Sequence, residues 1–574
     1  MLGDDGGGRG AANQPAARLT STDIDVIATV VDVGDDLPLT VAALLHRRAA
    51  RADHPLLICD DASLTYAEAE SRSATLARGL LAAGAGKGTH VGLLLPNGPE
   101  FAVGWLAAAR IGAVTVPIST FSTPAEIAGL LRGADVEFLL AAASFRNHDY
   151  VDKLQQAVPE LDLSAASTQP PLLAPSVPAL RRIAFFSNDA PAGWSISGLE
   201  GQGVDVRDDL LAAVEATVNP ADHMVIVHTS GSTSAPKGVV HVHGSLIRHV
   251  DNLNQIRRYA QDEVLFSNSP FFWIGGFAYG LLGTLLAGAT LVCSNAIEAA
   301  AVLDLLERAR PTMTNGFAQS VAHLARDPSF ASRDLSFIQR GNLWPIMPPD
   351  TQPADIELRH NMLGMTEAGS VCLVSEDESD QPESRRGSFG KPAPGFEARV
   401  VDPETGGDCP PGQVGELWFR GAFLMAGYYG VEREATFTPD GWYRTGDLCR
   451  VDEDGFFYFS ARLGDMIKTA GANVSPREVE AAILHLSGLS AHVIGLPDPD
   501  RGQIVAAAVR VPSGTPAPDA DELRTSLRGA LSAYKVPPLI VSMRDEEVPI
   551  MSSGKLDAPA LKALLEQHRG DSGH

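Results

Sequence analysis

Cysteine is scarce in this chain, and its few copies are far apart. Five occur in 574 residues and none stands in a C-x-x-C pair; they are Cys59, Cys293, Cys372, Cys409 and Cys449. That scatter argues against both a disulfide framework and a zinc site, and it suits the reducing environment of the cytoplasm. We therefore expect a cytoplasmic protein.

Positive charge is also in short supply. The chain has 45 lysines and arginines against 70 aspartates and glutamates, which gives a net charge of −25. A strongly acidic protein repels nucleic acids and anionic membrane surfaces, so neither is an expected partner. Any anionic ligand must then be held by local positive charge.

Neither a signal peptide nor an uninterrupted membrane span is expected. The start of the chain is rich in Gly, Ala and Asp and lacks the basic residues and apolar run of a secretory signal. We expect residues 1–36 to be a disordered tail and lead-in. The longest apolar stretch, Phe277–Cys293, is interrupted by glycines and threonines. It is predicted to be a buried α/β segment and not a transmembrane one.

What the chain does have is an alternation of helical and strand patterns. Thr65 and Glu68 have the spacing of a capping box, and the helix that they open is predicted to end at Gly84. A short apolar strand follows at 90–95, then a helix at 100–111 and a further strand at 112–118. Such alternation predicts an α/β fold with a mostly parallel sheet covered on both faces.

The remaining segments are less regular. Residues 152–222 are predicted to be loops around one or two short strands, and the α/β alternation returns from 239 to 340. After residue 462 a smaller α+β unit is expected. Its first helix should begin at a capping box, Ser475–Glu478, and bury one face made by Val479, Ile483 and Leu486.

One loop, residues 228–238, has the composition of an anion site. An apolar strand, Met224–Val227, leads into it, and four of its hydroxyl side chains, free backbone N–H groups and Lys237 can converge on one phosphate. It is not a Walker A loop, because Pro236 replaces the second glycine and Gly238 follows the lysine. These four hydroxyl residues are Thr229, Ser230, Ser232 and Thr233.

Further motifs follow this loop in a set order. They are Gly364-Met-Thr-Glu367, Gly415-Glu-Leu417, Trp442-Tyr-Arg-Thr-Gly-Asp447, Arg462 and Ser553-Gly-Lys555. Together with the loop they resemble the ANL superfamily of adenylate-forming enzymes, which includes acyl-CoA synthetases, luciferases and peptide-synthetase adenylation domains. The resemblance covers roughly residues 40–565.

The resemblance implies a large N-terminal domain of layered sheets and helices at 37–462 and a smaller, mobile α+β lid at 463–574, with Gly464 as the hinge. It implies that Glu367 holds Mg²⁺ and that Lys555, with Thr233, serves the chemical step. The residues that it implies for ATP binding are Thr229, Ser230, Gly231, Ser232, Thr233, Ser234, Lys237, Leu363, Gly364, Met365, Thr366, Asp447, Arg462 and Lys555.

Several positions depart from the family pattern. Ser234 replaces a glycine of the loop, Leu363 stands where an aromatic residue commonly stacks on adenine, and Gly464 replaces an Asp or Lys at the hinge. Phe272, Trp273 and Gly341 take the positions that line the acyl pocket in the family. Their apolar character, with Trp344 nearby, predicts an acid with a fatty chain or a ring.

The resemblance implies an ATP-dependent acyl-CoA ligase that uses Mg·ATP and CoA and passes through an acyl-AMP. One alternative is a ligase that loads a separate carrier protein; another is a nucleotide-binding protein that has lost turnover. An amino-acid-activating enzyme is disfavoured because no acidic residue lies between Ser267 and Gly276, where such enzymes place an Asp. The sequence leaves open which acid is used and whether the chain forms a homodimer.

Overall fold

The computed structural model describes residues 37–162, 172–187, 190, 192–229, 236–463, 465–469, 472–498, 501–531, 535–551 and 556–571. Some of the predictions lie outside these ranges. They are the tail at 1–36, the loop residues Ser230, Gly231, Ser232, Thr233 and Ser234, the hinge Gly464, and Lys555.

The helices lie mostly in the first half of the described chain. A π-helix, Gly275–Leu282, leads directly into one of them. The α-helices are α1 Val41–Arg47, α2 Tyr66–Ala82, α3 Pro99–Arg110, α4 Pro124–Gly133, α5 Tyr150–Ala157, α6 Ile196–Gln202, α7 Asp208–Glu215, α8 His243–Ile256, α9 Gly283–Ala287, α10 Ala299–Ala309, α11 Ala318–Val321, α12 Pro476–Ser487, α13 Ala520–Ala530 and α14 Ala558–Asp571.

The strands run through the whole described chain. They are β1 Pro55–Cys59, β2 Ala62–Thr65, β3 His90–Leu94, β4 Val114–Pro117, β5 Phe138–Ala142, β6 Ser144–Phe145, β7 His148–Asp149, β8 Arg182–Phe186, β9 His223–Thr229, β10 Lys237–Val242, β11 Val264–Ser267, β12 Thr290–Cys293, β13 Met313–Asn315, β14 Arg340–Gly341, β15 Leu363–Met365, β16 Ser370–Val374, β17 Lys391–Pro392, β18 Phe396–Val401, β19 Gly415–Gly421, β20 Gly427–Tyr428, β21 Tyr443–Val451, β22 Phe457–Arg462, β23 Ile467–Thr469, β24 Ala472–Val474, β25 Ala491–Asp498, β26 Gly502–Val511 and β27 Leu539–Arg544.

Two larger sheets form the centre of the fold. The first has the order β20-β10-β9-β4-β3-β5-β8, and the second has the order β14-β13-β11-β12-β1-β2. In the first sheet β9, β4, β3, β5 and β8 are parallel to one another, whereas β10 and β20 are antiparallel additions at one edge. Every residue of β3, β4 and β5 is buried, as expected of parallel strands covered on both faces. The predicted α/β class is confirmed.

Three smaller sheets complete the described chain. The third sheet is β15-β16-β17, the fourth is β18-β19-β21-β22, and the fifth is β24-β23-β26-β25 with β27 parallel to β26. The fifth sheet packs on helices around two apolar clusters made entirely of residues after 466. A smaller α+β unit therefore follows the larger α/β part, as the sequence predicts.

The local signals at α2 have the predicted outcome. The Thr65 hydroxyl accepts from the Glu68 N–H at 3.1 Å, and the Glu68 carboxylate accepts from the Thr65 N–H at 2.8 Å. The helix stops at Ala82, and Gly84 follows with φ +95°, a conformation that glycine adopts without strain.

The predictions for α12 were partly wrong. Pro476 begins the helix, but the Ser475 hydroxyl donates to the Ser460 carbonyl at 2.7 Å and makes no cap bond. Glu478 accepts from Lys535 at 2.6 Å instead of returning to the cap. Both residues take partners distant in sequence. The predicted buried face is also shorter, because Leu486 is 40% exposed while the two other apolar residues are buried.

Residues 152–222 were predicted to be loops around strands, and this was wrong for the second half. One strand, β8, is present, but the glycine-containing segment that follows forms α6, and α7 comes after it. α6 packs closely on α2: a Cβ at Gly79 would lie 2.6 Å from the Leu199 carbonyl oxygen. Tertiary packing therefore decides the helix in spite of its low intrinsic propensity.

The apolar stretch Phe277–Cys293 contains most of the π-helix, then α9 and β12, which agrees with the predicted buried α/β segment. Among the described residues, no helix combines the length and the apolar character needed to cross a membrane.

Candidate active site

The predicted anion loop connects two paired strands of the first sheet. Thr229 at the end of β9 is in register with Lys237 at the start of β10, so the two residues stand at the mouth of this hairpin. Behind them Val227 and Val239 are fully buried and anchor the hairpin in the core. The Lys237 side chain is exposed, and its Nζ lies 4.9 Å from the centre of the Tyr428 ring.

Glu367 is placed by a tight turn at the end of β15. Thr366–Ala368 forms a single 3₁₀ turn, and Gly369 leaves it with φ +72°. The Met425 N–H donates to the Glu367 carbonyl oxygen at 2.8 Å. The Tyr428 hydroxyl donates to Glu367 Oε1, also at 2.8 Å.

His241 holds the same turn from the opposite side. Its Nε2–H donates to the Thr366 carbonyl oxygen at 2.7 Å. The ring is fully buried, and burial lowers the pKa of His241 to about 4, so it stays neutral with the proton on Nε2. Of the two histidines expected from the sequence to pack or orient, His243 is also buried and His228 is partly buried.

Asp447 is turned inward by a bulge in β21. Gly446 has φ +71°, which interrupts the pairing of β21 with β19. The Thr445 hydroxyl donates to the Leu417 carbonyl at 2.7 Å and accepts from the Asp447 N–H at 2.9 Å. Asp447 stands opposite Arg462 of β22, and the Oδ1 to Nε distance is 2.8 Å.

The electrostatics of Asp447 are unusual for a carboxylate. Burial raises its pKa to about 6; the Arg462 charge opposes this rise and the nearby Glu367 charge adds to it. Although Arg462 lies at ion-pair distance, the buried Oδ1 accepts no aligned hydrogen bond from the described residues. An unsatisfied buried acceptor is costly, and a ligand hydroxyl would satisfy it.

The motif residues of β15 support the same region. Leu363 and Met365 pack, partly buried, against the apolar cluster beneath the third and fourth sheets. Gly364 is exposed, and a Cβ there would lie 2.9 Å from the Ser370 carbonyl oxygen.

The predicted acyl-pocket residues lie at the ends of second-sheet strands. Phe272 and Trp273 follow β11, with their ring centres 5.6 Å apart in an edge-to-face arrangement. Gly341 of β14 has φ +131°, and a Cβ there would lie 2.2 Å from the Thr314 carbonyl oxygen, so no other residue fits. Trp344 packs against the core of the second sheet.

Sequence reasoning missed three residues that contact this site. They are His241, Tyr428 and Tyr443; the two tyrosine hydroxyls lie 3.0 Å apart. The chain has only nine tyrosines, and an adjacent pair, Tyr428-Tyr429, follows the Gly415-Glu-Leu motif closely. That concentration could have drawn attention to Tyr428, and Tyr443 stands inside the Trp442–Asp447 motif, where it was given no role.

Comparison with known proteins identifies the arrangement. Residues 45–429 match the AMP-binding enzyme family, and residues 478–555 match the AMP-binding enzyme C-terminal domain. The chain belongs to the AMP-binding enzyme family. The resemblance inferred from the motifs is therefore confirmed.

Similar proteins of this family are acid–CoA ligases. The chain is 32% identical to a feruloyl-CoA synthase of Amycolatopsis sp over 89% of this chain and 96% of that protein. It is 29% identical to the mitochondrial medium-chain acyl-CoA ligase of Mus musculus, covering 95% and 89% of the two chains. The AMP-binding enzyme described here is accordingly an AMP-forming acid–thiol ligase that uses ATP and CoA.

The fold is also that of solved structures. The anthranilate CoA ligase AuaEII in complex with anthranoyl-AMP matches with a TM-score of 0.74 and 23% identity, over 92% of this chain and 98% of that one. At this identity the likeness shows the fold of the AMP-binding enzyme and not its substrate.

Proposed function

We propose that the enzyme activates an apolar carboxylic acid, either a fatty acid or a ring-bearing one. The observation that carries this proposal is a row of four aromatic side chains, Phe121, Phe272, Trp273 and Phe317. Successive ring centres are 5.6, 5.6 and 5.7 Å apart, all edge to face. Phe272, within the row, is 5% exposed and Phe317, at one end, is 51% exposed, so the row has a buried part and an end open to solvent.

Such a row of aromatic side chains binds apolar surface, and it carries no charge that could pair with a polar group on the substrate acid. Edge-to-face ring contacts are worth about 0.5–1.5 kcal/mol each beyond the area that they bury. An alkyl chain or an aromatic ring laid along the row would therefore be bound, whereas a second carboxylate would be left without a partner. The named activities of the feruloyl and medium-chain relatives are of these two kinds.

ATP would be held by charges that surround the hairpin mouth. Lys237 is exposed and forms no ion pair within the described residues, so its charge is free for a phosphate. Asp447 has a buried oxygen without a hydrogen bond, which fits an acceptor for ribose hydroxyls, and Arg462 lies beside it. Thr229, Leu363, Gly364, Met365 and Thr366 would border the nucleotide.

Glu367 fits a Mg²⁺ ligand. Its Oε1 is taken by Tyr428, while Oε2 accepts no hydrogen bond from the described residues. Mg²⁺ bound to ATP usually takes only one or two carboxylates from the protein and keeps several waters. The ion would neutralise phosphate charge when it is bound, and Glu367 would orient it.

The reaction that follows needs no protein nucleophile. The substrate carboxylate attacks the α-phosphorus, the bond to pyrophosphate breaks, and acyl-AMP forms; the CoA sulfur then attacks the acyl carbon and AMP leaves. The work of the enzyme is positioning and charge stabilisation. We assign Lys555 and Thr233 to the first step, and we assign the lid movement to the segment 463–574 about Gly464.

The experiment is a panel of acids of graded chain length and ring content. Pyrophosphate release measures the first step, and thioester formation with CoA measures the second. We expect both with apolar acids and neither with short dicarboxylic acids. Pyrophosphate release without a CoA thioester, but with acyl transfer to a carrier protein, would favour the carrier-loading alternative. No release with any acid would favour a nucleotide-binding protein without turnover.

A further inference from the structure

Tyr428 joins the two charged groups of the candidate site. It lies on β20, opposite Val239 of β10, two residues along from Lys237. This antiparallel edge of the first sheet brings the tyrosine beside the turn that carries Glu367, 61 residues earlier in the chain.

The two phenol groups form a directed chain. Tyr428 donates its proton to Glu367 Oε1 at 2.8 Å, so it can only accept in its 3.0 Å contact with Tyr443. Tyr443 is the donor in that contact. The Tyr443 side chain is buried and that of Tyr428 is partly buried. A phenol keeps its proton at neutral pH, so both hydroxyls can donate.

The ring of Tyr428 also separates Lys237 from Glu367. The ammonium lies 4.9 Å from the ring centre, a cation–π distance, while the carboxylate lies at the hydroxyl end. No ion pair between these two charges occurs within the described residues. The lysine thus stays available to phosphate and the carboxylate to a cation.

The backbone of Glu367 is already fixed on both sides. The neighbouring carbonyl of Thr366 accepts from His241 at 2.7 Å, and the Glu367 carbonyl accepts from the Met425 N–H at 2.8 Å. Only the side-chain torsions remain free, and the Tyr428 hydroxyl restrains them. One lone pair of Oε1 is thereby used, whereas Oε2 accepts no hydrogen bond from the described residues and is left open to a ligand.

We propose that Tyr428 is a positioning residue that commits Glu367 to bind a divalent cation through one oxygen, and so favours Mg²⁺ over Ca²⁺. Mg²⁺ requires near-octahedral geometry with short bonds, whereas Ca²⁺ accepts bidentate carboxylates and higher coordination numbers. The inference rests on the proposed function, in which Glu367 faces the metal of Mg·ATP.

Tyr428→Phe tests this directly, because it removes the hydroxyl and keeps the ring beneath Lys237. Binding of Mg²⁺ and of Ca²⁺ is titrated calorimetrically in the presence of α,β-methylene-ATP, which is not cleaved at the α-phosphate. Loss of the hydrogen-bond partner of a metal-binding side chain typically costs 10–100-fold in metal affinity. We expect a loss of about that size for Mg²⁺ and a clearly smaller loss for Ca²⁺. Tyr443→Phe should change the ratio in the same direction by less.

Tyr429→Phe is the matched control. This neighbouring tyrosine donates to Asp135 at 2.7 Å, so the variant loses a comparable bond away from Glu367. It should leave both affinities unchanged. An unchanged Mg²⁺ to Ca²⁺ ratio in Tyr428→Phe would overturn the inference, and Tyr443→Phe decides if that variant does not fold. Failure of the unsubstituted enzyme to bind either metal with the nucleotide would instead reject the proposed function itself, and this inference with it.

Discussion

Asp447 and Arg462 face each other across two strands with very different access to solvent. The Asp447 side chain is 3% exposed and that of Arg462 is 57% exposed, at a separation of 2.8 Å. The carboxylate is therefore desolvated while its partner remains hydrated. Burial outweighs the attraction and raises the pKa of Asp447 to about 6.

The first prediction concerns the effect of the Asp447 carboxylate on the stability of the protein and on its use of ATP. The ordinary pKa is 3.8 and the folded one about 6, so the folded state binds its proton more tightly. Stability is then lost as pH rises through this interval and remains lower above it. At pH 7.5, Asp447→Asn should increase the free energy of unfolding by an amount on the order of 1–3 kcal/mol and so raise the melting temperature. The same variant should have a higher KM for ATP.

Asp452→Asn is the control for that measurement. Asp452 lies at the end of the same sheet and accepts from the Tyr458 hydroxyl and the Phe456 N–H, both at 2.8 Å. Its replacement should lower the melting temperature and leave the KM for ATP unchanged. If Asp447→Asn melted lower and used ATP normally, Asp447 would be a structural residue only.

The second prediction concerns acid sensitivity. Burial lowers the pKa of four histidines well below 6.5: to about 4 for His228, His241 and His243, and to about 3 for His249. They stay neutral in the folded state and gain protons on unfolding. Stability should therefore be full above pH 6.5 and fall towards pH 4, by about 1.4 kcal/mol per pH unit for each histidine.

Urea unfolding between pH 5 and 7.5 measures this slope. His249 lies between the rings of Phe396 and Phe423, with centres 5.0 and 5.7 Å away, so a phenyl ring suits its place. His249→Phe should lower the slope of unfolding free energy against pH by about 1.4 kcal/mol per pH unit, which is the contribution of one proton. A slope equal to that of the unsubstituted enzyme would show that His249 is accessible to protons in the folded state.

The third prediction separates the two half-reactions. Lys555→Ala should reduce acyl-AMP formation by about 10²–10³-fold, the usual effect of losing one donor that stabilises transition-state charge. Thioester formation from supplied acyl-AMP should persist, because we assign the lysine only to the first step. Lys562→Ala, in α14, is the control and should leave both steps intact. Equal losses in both half-reactions would contradict the assignment.

The fourth prediction concerns Trp273 and the choice of acid. Trp273→Ala leaves room for several methylenes beside Phe272, and each buried methylene is worth roughly 0.8 kcal/mol. The preferred acid should become longer or bulkier by two or three methylenes, with shifts of about one to two orders of magnitude in kcat/KM. The ATP requirement should stay unchanged.

A chain-length profile beside a melting curve checks this. Phe317→Ala removes the exposed end of the same aromatic row and should change the profile less. An unaltered profile together with a large drop in melting temperature would mean that Trp273 only packs in the core.

The sequence alone determined the α/β class, the family and the local helix signals. The capping box at Thr65 and the stop at Gly84 depend on atoms a few residues apart, so spacing suffices to predict them. The motif residues Lys237, Glu367, Asp447 and Arg462 could be singled out as candidates, because each carries a charge in a recognisable pattern, and their roles are a proposal.

Only the tertiary structure decided which groups meet. Tyr428 contacts Glu367, 61 residues away in the sequence, and His241 contacts Thr366, 125 residues away. The periodicity of apolar residues does not predict such contacts. Ser475 shows the reverse: its predicted cap bond does not form, because its hydroxyl donates to the carbonyl of Ser460 on β22. Hydrogen bonds within a turn can be predicted from residues that are adjacent in the sequence, whereas those that orient this site depend on how the sheets pack.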